Sequence, residues 1–307
     1  MLKPRALVAG DRLAVVAPAS PFAREDFDHG IEELRRLGFQ PLYDESVFAR
    51  RNYVAGEPAV RAAALHAAWS DDSIAGIIGV RGGYGSVQML PLLDKGLARR
   101  ARKPFIGYSD LTSLLSFLTL GCGVVAFHGP MLAGRLGAGE SRYDRGSFLA
   151  ALCGREPMGE LAPKGLETIR RGEASGVLVG GTISQLVGSL GTPFAFAPPG
   201  GCVLFLDEVA ERPYRLDRMI TQCRQAGLLM RASAIVVGEL PRCDEPHGES
   251  TGRAVVADLL SDFAGTVLIG FPSGHTTGPA MTLPFGVRCR VVADGQPRLV
   301  VEEAAVE

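Results

Sequence analysis

The chain has 307 residues, 47% of them hydrophobic, and its 32 Lys+Arg against 33 Asp+Glu leave a net charge of −1. Length and apolar content suffice for two packed domains or one large one. The balanced charge, with no basic block, excludes the electrostatic footprint of a nucleic-acid binder or a polybasic membrane contact.

The first predicted strand is LAVV (13–16), running out into Pro18 and Ser20. A charged helix follows over 24–39, with Ile31, Leu34, Leu37 and Phe39 on its apolar side and Gly38 at its end. Gln40–Tyr43 is a candidate second strand. The Ala-rich stretch EPAVRAAALHAAWSDD reads as a helix, SIAGIIGV as a strand ending in a glycine cluster, and MLPLLDKGLARRA as a helix. A brief strand, PFIGY, stops at Ser109 and hands over to an apolar helix. VVAFHGPM is a further strand. Alternating strands and helices predict an α/β fold with a parallel sheet covered on both faces, whose site lies beyond the C-terminal ends of the strands. Ala17–Ser20, Arg81–Gly85, Tyr108–Asp110 and His128–Pro130 all fall at such ends.

From about residue 151 the character changes. Residues 151–176 read as a polar, strand-poor crossing between domains. The strand VLFL, a charged turn with Pro213 and an amphipathic helix come next, after GVLVGGTISQLVGSLGTPF. ASAIVVGEL and GTVLIGFPSGH are two more strands, and the tail resembles a hairpin turning at Asp294-Gly295.

Neither a signal-length apolar region at the N-terminus nor a run of about 18 to 20 apolar residues is present, so a soluble cytoplasmic protein is expected. The six cysteines, at 122, 153, 202, 223, 243 and 289, show no CxxC pair or metal spacing. They read as small buried hydrophobes in a reducing compartment. No dinucleotide or Walker fingerprint and no His/Cys/Asp cluster with ligand spacing is present, so neither cofactor nor metal is expected.

Several groups have the chemistry for catalysis. A serine at a sharp strand-to-helix turn has its hydroxyl lifted clear of the backbone, and Ser109 reads either as such a nucleophile or as a helix N-cap. Glycines 82, 83 and 85 form either a tight turn or a loop whose N–H groups aim at an anion. His29, His66 and His247 read as surface positions, while His128 and His275 lie at strand ends beside glycine. His275, in PSGHTTG, is the first choice as general base. The carboxylates after VLFL, Asp207 and Glu208, are placed either to orient a histidine or to favour a helix N-terminus.

Taken in order, the motifs GDRLAVVAPASP, RNYVAGEPAVRAAAL, VRGGYGS, IGYSDLTSLL, FHGPM, GGTISQLVGSLGTPF, LFLDEVAERPYRLDRMITQ and GFPSGHTTGPAMTLPFG resemble the LD-carboxypeptidase family of serine peptidases. That family also contains the microcin-immunity enzymes. The resemblance spans about residues 10 to 290. It implies a metal-free Ser-His-Glu triad, a flavodoxin-like nucleophile domain over 1–155, and a smaller β-rich domain over 156–307 carrying acid and histidine. Ser109 matches the nucleophile and His275 the base. Gly83 and the N–H of Asp110, beside Gly82, match the oxyanion hole. Two departures stand out. The family's usual Leu-Glu-Asp is here Leu206-Asp207-Glu208, so position favours Asp207 and side-chain type Glu208; Asp207 is preferred, because its place after VLFL fixes which way it points. Thr182 also replaces a frequent asparagine.

The implied activity is release of terminal D-alanine from a murein tetrapeptide by a cytoplasmic homodimer. Two other readings stand beside it, hydrolysis of a microcin-type peptidyl-nucleotide conjugate and a non-catalytic binding domain. A nucleotide wants an aromatic stacking surface, and the single tryptophan, Trp69, lies in the Ala-rich helix away from every motif, which favours the peptide.

Overall fold

The buried run Arg12–Val16 forms strand β1, and the expected alternation follows it. In order come α1 (Arg24–Arg36), β2 (Gln40–Leu42), α2 (Pro58–Ser70), β3 (Ile74–Gly79), α3 (Lys95–Ala101), β4 (Phe105–Gly107), α4 (Thr112–Ser116) and β5 (Ala126–His128). This computed structural model describes residues 1–307. The five strands are parallel in the order β2-β1-β3-β4-β5, the flavodoxin-like arrangement. Helix α1 shows why a polar sequence still docks: Phe27, Ile31 and Leu34 fall on one face and are buried. Glu25 and Asp26 stand in its first turn and Arg35 and Arg36 in its last, each matching the helix dipole.

After α5 (Arg145–Cys153) the chain does not cross as a strand-poor linker. It forms β6 (Gly159–Leu161), β7 (Glu167–Arg170) and β8 (Glu173–Thr182). The polarity that suggested a linker has a physical reason, because β6 and β7 are the two edges of an eight-stranded sheet. Edge strands carry charge to discourage further pairing. The remaining elements are α6 (Ile183–Ser189), β9 (Cys202–Asp207), α7 (Pro213–Gln225), β10 (Ala232–Gly238), α8 (Gly252–Leu259), β11 (Thr266–Phe271), β12 (Leu283–Phe285), β13 (Arg288–Val292) and β14 (Arg298–Val301). Strands β8-β9-β10-β11 run parallel at the centre, and antiparallel strands flank them. The hairpin β13–β14 turns through Asp294-Gly295 as expected.

Strand β12 leaves this second half and pairs antiparallel with β5, opposing Leu283 to His128. One apolar cluster of 66 buried residues runs through the first sheet and one face of the second. A cluster of 22 lies on the other face, under α6, α7 and α8. The chain ends also meet: Ala6 N–H donates to the Glu307 carbonyl, and Glu307 N–H to that of Pro4. All six cysteines are free, and only Cys153 is less than fully buried.

Candidate active site

Strand β4 ends at Gly107, Tyr108 stays extended (φ −154°), and Ser109 flips to φ 63° before a 3₁₀ turn over Ser109–Leu111. A non-glycine residue in the left-handed region costs roughly 1–2 kcal/mol, so surrounding packing must hold it there. Leu111 does so, with its side chain against Gly79 and Gly107 and its N–H on the Tyr108 carbonyl (3.2 Å). Neither the 3₁₀ turn nor α4 is capped by a side chain, so the N-cap reading of Ser109 does not describe this turn. The apolar helix expected after Ser109 is also irregular: α4 gives way to a π-helical turn over Phe117–Gly121.

The glycine loop lies directly on this serine. A Cβ placed on Gly82 would stand 2.8 Å from Ser109 Cβ, 3.0 Å from its Oγ and 3.4 Å from Asp110 N. Only glycine permits that approach. Asp110 is buried; its Oδ2 accepts from Ser86 N (2.8 Å), and Ser86 Oγ donates to the Asp110 carbonyl (2.6 Å). Burial raises the Asp110 pKa, with the Ser86 hydrogen bonds opposing.

Across the interface, the Asp207 carboxylate closes β9 and is fully buried. It accepts from His275 Nδ1 at 2.7 Å and from the His275 backbone N–H at 3.2 Å. A carboxylate has only acceptors, so Nδ1 carries the ring hydrogen and Nε2 is left with its lone pair. Burial presses the His275 pKa down, but the charge and hydrogen bond of Asp207 and the charge of Glu208 outweigh it, leaving the ring above its ordinary value. Gly274 makes the pairing possible, since a Cβ there would lie 2.5 Å from Asp207 Oδ2 and 2.6 Å from His128 Cε1.

Glu208 turns the other way. Its Oε2 accepts from Ser184 N at the start of α6 (2.8 Å), and its Oε1 from the next residue's N–H, Val209 (3.1 Å). Burial raises its pKa. Of the two adjacent acids, only Asp207 touches His275.

A short relay joins the two halves of the site. Thr112, three residues after Ser109, accepts from Thr182 N through its Oγ1 (3.0 Å), and Thr182 sits in register with Asp207 across β8 and β9. The Tyr108 ring lies edge-on to the His275 ring at 5.0 Å between centroids. No direct hydrogen bond links Ser109 to His275 in this arrangement, as is common before substrate binds.

The sequence singled out His128 but not its partners. Its Nδ1 lies 3.0 Å from Ser273 Oγ, which donates to the Met281 carbonyl (2.8 Å). Ser273 thus accepts from His128 and ties β5 to the segment that carries His275. Burial holds the His128 pKa down at about 4, so the ring is neutral. Arg135, also unremarked in the sequence, supports the far side: it donates to the carbonyls of Arg142, Thr276 and Gly278 at 2.5–3.1 Å. Nothing local marks either role, because each depends on a loop more than 130 residues away. Between α4 and α6 lies a cavity of about 200 Å³, lined by Val87, Leu90, Ser113, Leu186, Phe194 and Phe196 among others.

The family model for the LD-carboxypeptidase N-terminal domain matches residues 13–129, and that for the C-terminal domain matches residues 175–291. A probable murein peptide carboxypeptidase of Bacillus subtilis is 32% identical over 297 residues, 93% of this chain and 90% of that protein. The crystal structure of a muramoyltetrapeptide carboxypeptidase from Oxalobacter formigenes superposes with a TM-score of 0.84 and 26% identity, over 95% of this chain and 99% of that one. The microcin C7 self-immunity protein MccF, in complex with aspartyl sulfamoyl adenosine, shares the fold (TM-score 0.89, 23% identity, 100% of both chains). Motifs, two-sheet architecture and family models agree in order along the chain, which belongs to the LD-carboxypeptidase family.

Proposed function

We propose that the protein is a serine-type LD-carboxypeptidase that releases the terminal D-alanine of a murein tetrapeptide. The observation that carries this reading is the Asp207–His275 pair, bonded at 2.7 Å, with the His275 ring 5.0 Å from the ring of Tyr108, the residue before the strained Ser109. In this mechanism Ser109 Oγ attacks the scissile carbonyl and His275 Nε2 takes its proton. Asp207 holds the imidazole in the Nδ1–H tautomer and balances the imidazolium. The N–H groups of Gly83 and Asp110 receive the developing oxyanion, with Gly82 allowing the loop to lie against the serine. The imidazolium then protonates the departing amine of D-alanine. Water, deprotonated by the same ring, hydrolyses the acyl-serine.

Support for the murein substrate comes from the relatives named for murein peptides. The MccF complex favours the second reading, a peptidyl-nucleotide conjugate, through the ligand in that structure. Trp69 is buried within α2 and offers a nucleobase no stacking face, whereas Tyr53 and Tyr84 are exposed at the glycine loop, so aromatic surface does not separate the two substrates. We place the enzyme in the cytoplasm as a homodimer serving murein recycling. Free buried thiols fit a reducing compartment, and light scattering tests the dimer.

The deciding experiment incubates the purified protein with a murein tetrapeptide and, separately, an aminoacyl-sulfamoyl adenosine, and follows both by mass spectrometry. Loss of one alanine mass from the tetrapeptide, absent in Ser109→Ala, is the expected result. Cleavage of the adenosine conjugate alone selects the second reading. No turnover of either favours a binding domain.

A further inference from the structure

Arg61, on α2, is a buried cation with no carboxylate at salt-bridge distance. Its partners are neutral oxygens from three loops. Nη1 donates to the carbonyls of Pro18 (2.5 Å) and Gly85 (2.9 Å), Nε to that of Gly56 (3.2 Å), and Nη2 to Gln88 Oε1 (2.6 Å). Burying a guanidinium against neutral oxygens alone is costly, so its hydrogen bonds to them must offset the lost hydration. Burial accordingly lowers its pKa, opposed by the charges of Asp110 and Glu57.

The contacts become specific at one peptide unit. The carbonyl of Gly85 and the N–H of Ser86 belong to the same peptide group, a rigid plane. Arg61 holds that plane by its oxygen, and Asp110 Oδ2, one residue from Ser109, holds it by its nitrogen. Gripped from both sides, the plane cannot rotate, and the glycine loop that ends in it is pinned against the serine turn. Gly83, at φ +99°, and Gly85, at φ +129°, have no side chains to do this themselves.

We infer that Arg61 is a positioning residue for the hydrolysis: together with Asp110 it clamps the Gly85–Ser86 peptide and so keeps the Gly83 N–H aimed at the oxyanion. This rests on the serine-peptidase reading above. A guanidinium meets four acceptors at once, whereas an ammonium is a single point of charge on a flexible stem. Arg61→Lys therefore supplies the charge without the clamp.

Two measurements test it. The first is the rate at which a fluorophosphonate labels Ser109, in which Oγ bonds to phosphorus, fluoride leaves, and the serine proton passes to His275. This needs no peptide substrate. The second is steady-state turnover of the tetrapeptide. Arg61→Ala is expected to slow labelling and kcat by about 10²-fold or more, as loss of an oxyanion donor does, with KM within about threefold. Added guanidinium should restore part of the kcat in a saturable manner, and Arg61→Lys should fall between the two. Wild-type labelling and kcat in a folded Arg61→Ala or Arg61→Lys protein would overturn the inference. So would a loss carried by KM without guanidinium rescue, or failure of both variants to fold, which assigns Arg61 to stability. Absence of labelling in the wild type, or labelling that persists in Ser109→Ala, would instead overturn the reading of the site itself.

Discussion

Two neighbouring acids in identical sequence context do different work because strand geometry turns successive side chains to opposite faces. Asp207 faces His275, and Glu208 faces the start of α6. Asp207→Asn is therefore expected to lower kcat by roughly 10⁴ while leaving the melting temperature near wild type, since an amide favours the wrong imidazole tautomer. Glu208→Gln should keep kcat within severalfold and lose about 1 kcal/mol of stability, the scale of one weakened hydrogen bond to a helix N-terminus. Steady-state kinetics beside thermal melts separate the two. The histidines add a pH prediction. As the proposed base His275 has to be neutral, and its pKa is raised, so kcat/KM should climb with pH through a midpoint above the ordinary histidine value and then level off. His128, held down at about 4, contributes no second step near neutrality. The stability linkage has the opposite sign. Because His275 binds its proton more tightly when folded, that stabilisation is present at low pH and is lost as pH rises through the folded pKa. A rate constant flat between about pH 5 and 8, with chemistry limiting, would contradict the assignment of the base.

Elements bring these residues together through contacts that tolerate little extra volume. Helix α4, directly behind the serine, docks onto the end of β8 through Thr112 and the Gly181-Thr182 backbone. A Cβ on Gly181 would stand 2.5 Å from Thr112 Oγ1, and the residue lies at φ +139°. Gly181→Ala should therefore destabilise by about 1–3 kcal/mol, the usual cost of overpacking, and move the serine turn away from Asp207. Differential scanning calorimetry and turnover should fall together in this variant. Thr112→Ser, which keeps the acceptor for Thr182 N, should lower neither by much. If Gly181→Ala retains both wild-type stability and wild-type rate, α4 does not set the distance across the site.

At the scale of the whole molecule, the halves are not independent beads on a chain. Strand β12 completes the first sheet from the second half, the 66-residue cluster is continuous through both, and the two termini are hydrogen-bonded. A fragment of residues 1–155 would lose the β12 partner of β5 and uncover much of that cluster. It should show no cooperative thermal transition, whereas the full chain should melt in one. Circular dichroism melts of the fragment and the full chain decide this, and a cooperative transition in the fragment would show the first half to be self-sufficient. The same wholeness bears on the proposed activity: Ser109 and His275 come from different halves, so neither half alone is expected to turn over peptide.

What the sequence determined by itself was local and periodic. Alternating apolar strands and amphipathic helices set the parallel first sheet, Asp294-Gly295 marked the closing hairpin, and glycine at strand ends pointed to the loops around Ser109 and His275. Those signals lie in short windows, where side-chain spacing and backbone freedom act directly. The position of Asp207 after VLFL favoured it over Glu208, but only the fold could show the contact, because that turns on which face of β9 meets a loop 68 residues later. The edge strands β6 and β7 were not local in this way either, for their polar sequence reads as linker until the sheet they border is known. Arg61 lies within the motif RNYVAGEPAVRAAAL, but nothing there shows what it bonds, and Arg135 and the bonds of His128 carry no local mark of their partners. Their roles exist only once distant loops are packed around them, for a buried donor is meaningful through the acceptors that folding brings within its reach.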